Sequence, residues 1–103
     1  MKPAVLAPTA RRDLADAIDW IAKDNPAAAR ALRDAVIAAV SRIGEHPRIG
    51  TVRPDLAKER IRFVVLRGFP YILVYAADKM PPRILRLLHG ARDLQAVLRD
   101  LDA

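Results

Sequence analysis

The side chains best suited to chemistry in this sequence are a histidine, an arginine and two tyrosines in its last third. His89 and Arg92 lie three residues apart, and Tyr71 and Tyr75 precede them in an apolar run. A ribonuclease that uses acid/base chemistry needs a base, an acid and a cation near one phosphate, and these residue types can supply all three. Spacing alone does not assemble them, and a single histidine at a strand end is more often structural. Both interpretations stay open at this point.

Basic residues are concentrated in the second half of the chain. Residues 45–92 carry ten basic and four acidic side chains, whereas residues 1–44 carry seven and five. Arg62 and Arg86 fall within predicted strands, on the side opposite the more aromatic set, so they could line a cationic concavity for phosphate or carboxylate. The alternative is a solvated charged rim. The net charge of +6 favours a nucleic acid or an acidic protein as partner, without deciding between them.

Composition excludes several classes of site. The sequence has no cysteine, and neither His46 nor His89 has a second ligand at metal-binding spacing, so we expect no metal site. There are only four glycines and no phosphate-binding loop, serine elbow or paired-carboxylate motif, so we expect no cofactor.

Length and hydropathy predict one globular domain spanning residues 1–103. A chain of 103 residues with 52% hydrophobic side chains is large enough for one core and too small for two. The apolar run at the N-terminus is short and is followed at once by Arg11 and Arg12, which is untypical of a signal peptide or a membrane span. We therefore expect a cytoplasmic protein.

Two helices are predicted in the first half, after a short strand over residues 2–6. Thr9 is a suitable N-cap for the first helix. Asn25 and Pro26 then indicate a break and a restart, and Gly44 is suited to end the second helix in a left-handed conformation. The first helix has an apolar face of Ala10, Leu14, Ala17, Ile18 and Ile21 and a polar face of Arg11, Arg12, Asp13, Asp16 and Lys23. The second has an apolar stripe of Ala29, Leu32, Val36, Val40 and Ile43, widened by Ile37.

The second half is predicted to be mainly β-structure. Residues 45–60 lose periodicity and are predicted to form a long loop. Residues 61–66, 71–77 and 83–89 are apolar runs separated by short turns, which indicates an antiparallel meander. Asp93 is a suitable N-cap for a last short helix, whose apolar positions are Leu94, Val97, Leu98 and Leu101. The order βααβββα, with an N-terminal strand and a helix hairpin packed on an antiparallel sheet, belongs to the α+β class.

Both faces of the predicted sheet are largely apolar. Alternation separates Ile61, Phe63 and Val65 from Arg62, Val64 and Leu66, and it separates Leu85, Leu87 and His89 from Ile84, Arg86 and Leu88. A sheet with helices on one side and water on the other should have one polar face, so the second face needs a cover. The C-terminal helix, a partner chain, or packing within the chain alone can provide it.

Several segments together resemble the ParE branch of the RelE/ParE toxin superfamily. They are Ala-Arg-Arg-Asp-Leu at residues 10–14, Ile-Asp-Trp-Ile at 18–21, Pro-Tyr at 70–71, and Ile-Leu-Arg-Leu-Leu-His-Gly-Ala-Arg-Asp at 84–93. The likeness covers nearly the whole chain. It implies the toxin of a type II toxin–antitoxin system, neutralised in a hetero-oligomer by a ParD-like antitoxin whose C-terminal segment wraps its helices and sheet.

The resemblance leaves the target open, because the two branches share one scaffold. ParE-like members inhibit DNA gyrase, whereas RelE-like members cleave mRNA on the ribosome and typically carry a Tyr or His close to the C-terminus. No Tyr, His or Lys follows Arg92 in this chain. We therefore expect a gyrase inhibitor that acts by binding rather than as an enzyme. The alternatives are a ribosome-dependent endoribonuclease using Arg62, Arg86, His89 and Arg92, and an interaction module that has lost toxicity.

Two sets of contact residues follow from this interpretation. The predicted antitoxin-binding residues are Leu14, Ile18, Ile21, Val36, Val40, Arg62, Val64, Ile72, Val74 and Arg86. The predicted target-binding residues are Arg92, Leu94, Val97 and Leu98.

Overall fold

A computed structural model describes residues 2–90 and residue 93. In chain order the elements are β1 (Val5–Leu6), α1 (Pro8–Ala22), α2 (Pro26–Glu45), β2 (Thr51–Val52), β3 (Ile61–Val65), β4 (Tyr71–Ala76) and β5 (Arg83–His89). The α+β class is confirmed. The predicted C-terminal helix lies outside the described residues, except for Asp93. No helix in the described part of the chain is long and apolar enough to cross a membrane.

The predicted N-cap is correct for α2 and wrong for α1. Helix α1 begins at Pro8 with Ala7 as its N-cap, so the prediction of Thr9 was wrong. Proline suits the first helical position because its ring fixes φ at a helical value. The N–H that it lacks would have no partner within the helix there. The N-cap of α2 is Asn25, as predicted, and its side-chain oxygen accepts a hydrogen bond from the Ala28 N–H at 3.0 Å.

Gly44 lies within α2 and does not end it in a left-handed conformation. The helix continues to Glu45, and the N–H of His46 donates to the Arg42 carbonyl at 2.8 Å. A Cβ atom at residue 44 would lie 2.6 Å from Cα of Pro3. The glycine is therefore needed for the close approach of the N-terminal segment, and the predicted C-cap was wrong.

The sheet contains five strands in the order β1-β5-β4-β3-β2. Strands β3, β4 and β5 form the predicted antiparallel meander, but β1 pairs with β5 in parallel, so the sheet is mixed. Strand β2 lies in the segment predicted as a loop and pairs antiparallel with β3. Two-residue strands such as β1 and β2 are too short to show alternation, which explains why β2 was missed.

Helices α1 and α2 pack on one face of the sheet and bury the main core. Leu32, predicted to lie on the apolar stripe of α2, is fully buried, whereas Ile37 is 60% exposed and does not extend that stripe. The largest fully buried side chains of this core are Leu32, Val36, Ile43, Leu73, Tyr75 and Ile84.

The opposite face of the sheet has a second, smaller core made by the chain itself. Leu56 and Ala57, from the segment between β2 and β3, pack against a cluster from three strands. The buried strand residues of that cluster are Ile61, Phe63, Val74, Ala76 and Leu88. Packing within the chain thus covers part of the second face, while Val65 at the end of β3 stays 68% exposed.

A register shift in β5 changes which residues share a face. Tyr75 pairs with Ile84 and Val74 pairs with Arg86, which leaves Leu85 as an extra residue. Ile84 and Leu87 both belong to the helix-side core, and Leu88 belongs to the opposite cluster. Strict alternation had placed Ile84 with Leu88, and that assignment was wrong because a bulge inserts one residue into the strand.

Candidate functional site

The end of β5 and one side of α1 form a cleft of about 360 Å³, here called the α1–β5 cleft. Trp20 is its most exposed large side chain at 68%, and Lys23 Nζ lies 5.3 Å from the centroid of the indole. The lining residues are Asp13, Asp16, Ala17, Trp20, Tyr71, Leu87, His89 and Asp93. The cleft therefore combines aromatic rings with carboxylates.

Asp13 joins α1 to β5 at the edge of this cleft. Its carboxylate accepts hydrogen bonds from Arg86 Nε at 2.7 Å and Nη2 at 3.0 Å, and from the Leu87 N–H at 3.0 Å. The two side chains are only 16% and 23% exposed. The prediction that Asp13 lies on the polar face of α1 was therefore wrong, and sequence periodicity gave no sign of this contact across 73 residues.

His89 lines the same cleft and contacts Tyr71. The two rings meet edge to face, with their centroids 5.7 Å apart and an angle of 81° between their planes. Within the described part of the chain, Nδ1 of His89 is buried without a hydrogen-bond partner. The backbone N–H of His89 faces the Asp93 carboxylate at 3.4 Å. The structure thus brings together His89 and Tyr71, two of the residues considered for acid/base chemistry.

Tyr75 and Arg62 hold the segment after α2 against the sheet. The Tyr75 hydroxyl donates to the Pro47 carbonyl at 2.7 Å and accepts from the Gly50 N–H at 2.9 Å. Arg62 Nη1 donates to the carbonyls of Gly50 at 2.8 Å and Arg48 at 3.2 Å. Burial raises the pKa of Tyr75, although the Gly50 N–H partly opposes that rise. The Tyr75 hydroxyl and Arg62 Nη1 thus both form hydrogen bonds with the backbone of the segment after α2.

The structure describes three of the four residues of the ribonuclease hypothesis, and these three have different neighbours. Arg62 bonds to the segment after α2, Arg86 bonds to Asp13, and His89 lies in the α1–β5 cleft. Arg92 lies outside the described residues. The guanidinium groups of Arg62 and Arg86, which the strand pattern suggested could line one cationic concavity, donate to different acceptors of the chain.

The predicted antitoxin-binding residues fall into two groups. Val36 and Val74 are buried within the chain, at 1% and 0% exposure, so neither lies on the surface of the described structure. The partly exposed members are Leu14, Ile18, Ile21, Val40, Arg62, Val64, Ile72 and Arg86. Of the predicted target-binding residues, Arg92, Leu94, Val97 and Leu98 all lie outside the described residues.

A second surface feature lies where β2 ends beside β3, and it is here called the sheet-edge groove. It has a volume of about 570 Å³ and combines exposed apolar side chains with three arginines. Its lining residues are Arg42, Ile49, Thr51, Arg53, Phe63, Val64, Val65, Arg67 and Ile72. Sequence analysis found basic residues concentrated in residues 45–92, but it could not join them to Arg42, because α2 and β3 meet only in the fold.

The described residues offer no metal centre. Among residues 2–90 and 93, no three His, Cys, Asp or Glu side chains are grouped so that they could hold a metal ion.

Comparison with known proteins identifies the family. The model of the family described as "ParE toxin of type II toxin-antitoxin system, parDE" matches residues 4–94. A solved structure of the chromosomal ParDE TA system from P. aeruginosa has the same fold, with a TM-score of 0.71 and 19% identity, over 86% of this chain and 96% of that one. A search of curated proteins found no match. With its helix pair on a five-stranded sheet and a family match over most of its length, the chain belongs to the ParE toxin family of type II toxin–antitoxin systems.

Proposed function

We propose that this chain is a toxin that inhibits DNA gyrase by binding it, and that a ParD-like antitoxin neutralises it. The observation that carries the proposal is the family match over residues 4–94. The solved relative is titled as a ParDE system, which supports an antitoxin of the ParD type as the partner of this chain as well.

The hydrogen bonds of Arg62 and Arg86 support a toxin that acts by binding its target rather than one that cleaves RNA. A ribonuclease of the alternative kind would use the guanidinium groups of Arg62 and Arg86 on phosphate, but both groups already donate to acceptors of the chain itself. A phosphate at Arg86 would have to displace the carboxylate of Asp13 from a two-bond contact, which costs a charge-assisted interaction. The Tyr75 hydroxyl likewise donates one hydrogen bond and accepts another within the chain.

His89 is the one described residue that favours the alternative. Its ring lies in an open cleft next to Tyr71, and its Nδ1 has no partner among the described residues. A general base must come within hydrogen-bond reach of the proton it removes, and a cation must lie beside the same phosphate. Arg86 on the same strand is paired with Asp13. The cleft is lined by the carboxylates of Asp13, Asp16 and Asp93, which would repel a phosphate.

Expression in bacteria without an antitoxin separates these functions. We expect growth arrest, with breaks in chromosomal DNA and no new mRNA 5′ ends. The His89→Ala variant serves as the matched probe, because arrest should persist in it if catalysis by His89 is not involved. New mRNA ends that vanish in His89→Ala, with intact DNA, would replace the proposal with ribosomal cleavage. Normal growth would show that the chain is an interaction module without toxicity.

A further inference from the structure

Three aromatic rings line the α1–β5 cleft. Trp20 of α1 is 68% exposed, while Tyr71 of β4 and His89 of β5 contribute the other two rings. Residues 13, 16, 17 and 20 of α1 recur at helical spacing and so form one stripe along the cleft. A volume of about 360 Å³ is within the range of sites for small organic molecules. The fold thus leaves a large aromatic surface open to a ligand here.

The carboxylates of the cleft differ in whether the chain already uses them. Asp13 accepts three hydrogen bonds, two from Arg86 and one from the Leu87 N–H, so it is occupied. Asp16, the next carboxylate along the same stripe, is exposed and has no ion-pair partner among the residues that the structure describes. Asp93 adds a further carboxylate. The cleft therefore presents negative charge on a chain whose net charge is +6.

The indole of Trp20 already contacts a cation of the chain itself. Nζ of Lys23 lies over the ring at 5.3 Å from its centroid, which is within the range over which an aromatic face attracts an ammonium group. Lys23 is an exposed residue, so its side chain is free to move aside into water. The face of the indole is thus available to another cation, in competition with Lys23.

One buried polar atom of the cleft wall has no partner in the described structure. It is Nδ1 of His89, which forms no hydrogen bond with the residues that the structure describes. The imidazole meets Tyr71 edge to face, so its ring is held in place in the wall. A buried polar atom without a partner costs free energy, and a ligand that donates a hydrogen bond there recovers it. Guanidinium and ammonium groups carry only donors, so they match this need.

We propose that the α1–β5 cleft binds an organic cation, namely a guanidinium or ammonium group on a short apolar chain. Asp16 pairs with the positive charge, Trp20 offers its aromatic face, and Leu87 contacts the apolar chain. A guanidinium fits best, because it is planar and can stack on an aromatic ring while it donates to a carboxylate. Binding of such a cation does not depend on the inhibition of gyrase.

Other ligand classes fit the cleft less well. Among residues 2–90 and 93, no three His, Cys, Asp or Glu side chains are grouped so that they could hold a metal ion. A phosphate would be repelled by Asp16 and Asp93. A neutral apolar molecule would take water from these carboxylates without pairing them. An organic cation satisfies both the charge and the aromatic surface.

Titration of the full chain with n-butylguanidinium tests the proposal, with n-butylurea as a neutral ligand of the same shape. Trp20 is the only tryptophan of the chain, so its fluorescence reports on this cleft. We expect a saturable change in emission with n-butylguanidinium and an affinity at least about tenfold weaker for n-butylurea.

A blocked pentapeptide with a central arginine among glycines distinguishes two sources of the cation. Binding of the free cation that equals or exceeds that of the peptide supports a small-molecule ligand. Tighter binding of the peptide supports the same chemistry, supplied by an arginine side chain of a protein.

Three variants test the roles of the cleft residues by calorimetric titration with n-butylguanidinium. We expect Asp16→Asn to weaken binding about fivefold or more, and Trp20→Leu about tenfold. Lys23→Ala should strengthen binding about two- to fivefold, because it removes the competing ammonium. The matched controls are Glu59→Gln, before β3, and Lys79→Ala, in the turn before β5. They make the same charge changes at exposed positions outside the cleft and should bind within about twofold of the parent.

Several results would overturn the inference. They are no saturable binding of n-butylguanidinium, equal affinity for n-butylurea, or equal effects of Asp16→Asn and Glu59→Gln. Weaker binding by Lys23→Ala would also contradict it, since the lysine would then assist the ligand instead of competing with it. Thermal unfolding of each variant checks that the fold is kept, so a change in affinity is read only from folded protein.

Discussion

The carboxylate of Asp13 in α1 accepts two hydrogen bonds from the guanidinium of Arg86 in β5, at 2.7 and 3.0 Å. It accepts a third from the Leu87 N–H. The contact lies next to the register shift in β5, where Leu85 is the extra residue. It thus fixes the helix hairpin to the strand that borders the α1–β5 cleft. It also explains why this arginine is not available for phosphate.

Replacing Asp13 should destabilise the fold strongly. Asp13→Ala leaves the partly buried Arg86 without its carboxylate and the Leu87 N–H without its acceptor, so we expect a loss of about 2–4 kcal/mol in the free energy of unfolding. Urea denaturation measures it. The control is Asp34→Ala, which breaks the exposed Arg33–Asp34 pair at 3.7 Å and should cost less than about 0.5 kcal/mol. Equal effects of the two variants would contradict this role of Asp13.

Removing one hydroxyl should loosen the segment after α2. In Tyr75→Phe the buried Gly50 N–H and the Pro47 carbonyl both lose a partner, and we expect a loss of about 1–3 kcal/mol. Amide hydrogen exchange at Gly50 should accelerate in this variant, and it provides a local readout. Unchanged exchange at Gly50 would show that the hydroxyl does not anchor the segment.

Alkaline pH should destabilise the protein through ionisation of Tyr75. Burial raises the pKa of Tyr75 above its ordinary value of 10.0. Below about pH 10 the phenol is protonated in both folded and unfolded chains, so it adds no pH dependence. Above that pH the unfolded chain releases a proton that the folded chain retains, and stability falls as pH rises towards the folded pKa. Urea unfolding at several pH values should show this slope, and Tyr75→Phe should reduce it.

Two aliphatic residues on α2 provide a direct test of its buried face. Leu32 is fully buried in the helix-side core, so Leu32→Ala should cost about 2–5 kcal/mol. Ile37 is 60% exposed, so Ile37→Ala should change stability by less than about 0.5 kcal/mol. Thermal unfolding of both variants measures the difference. A larger loss for Ile37 than for Leu32 would contradict the orientation of the helix.

Local patterns in the sequence predicted the helices and the three-stranded meander. The stripe that contains Leu32 has helical spacing, and Asn25 followed by Pro26 marks the start of α2, because capping depends only on neighbouring residues. Strand β2 and the parallel pairing of β1 were not predicted. Each is two residues long and depends on partners far along the chain, such as Phe63 for Thr51.

The sites were harder to predict than the elements. A bulge cannot be seen in the alternation of β5, so Ile84 was assigned to the wrong face, and the contact of Arg86 with Asp13 was missed. Val36 and Val74 fit an apolar pattern, but apolar patterns do not distinguish a core from an interface. The sheet-edge groove arises from four separate segments of the chain, so only the fold reveals it.

The central claim, inhibition of gyrase by binding, is tested most directly by a supercoiling assay with purified gyrase, relaxed plasmid and the purified chain. We predict that supercoiling decreases as the chain is added, and that pre-mixing the chain with its antitoxin restores it. Supercoiling that is unaffected at concentrations well above those that arrest growth would contradict the account.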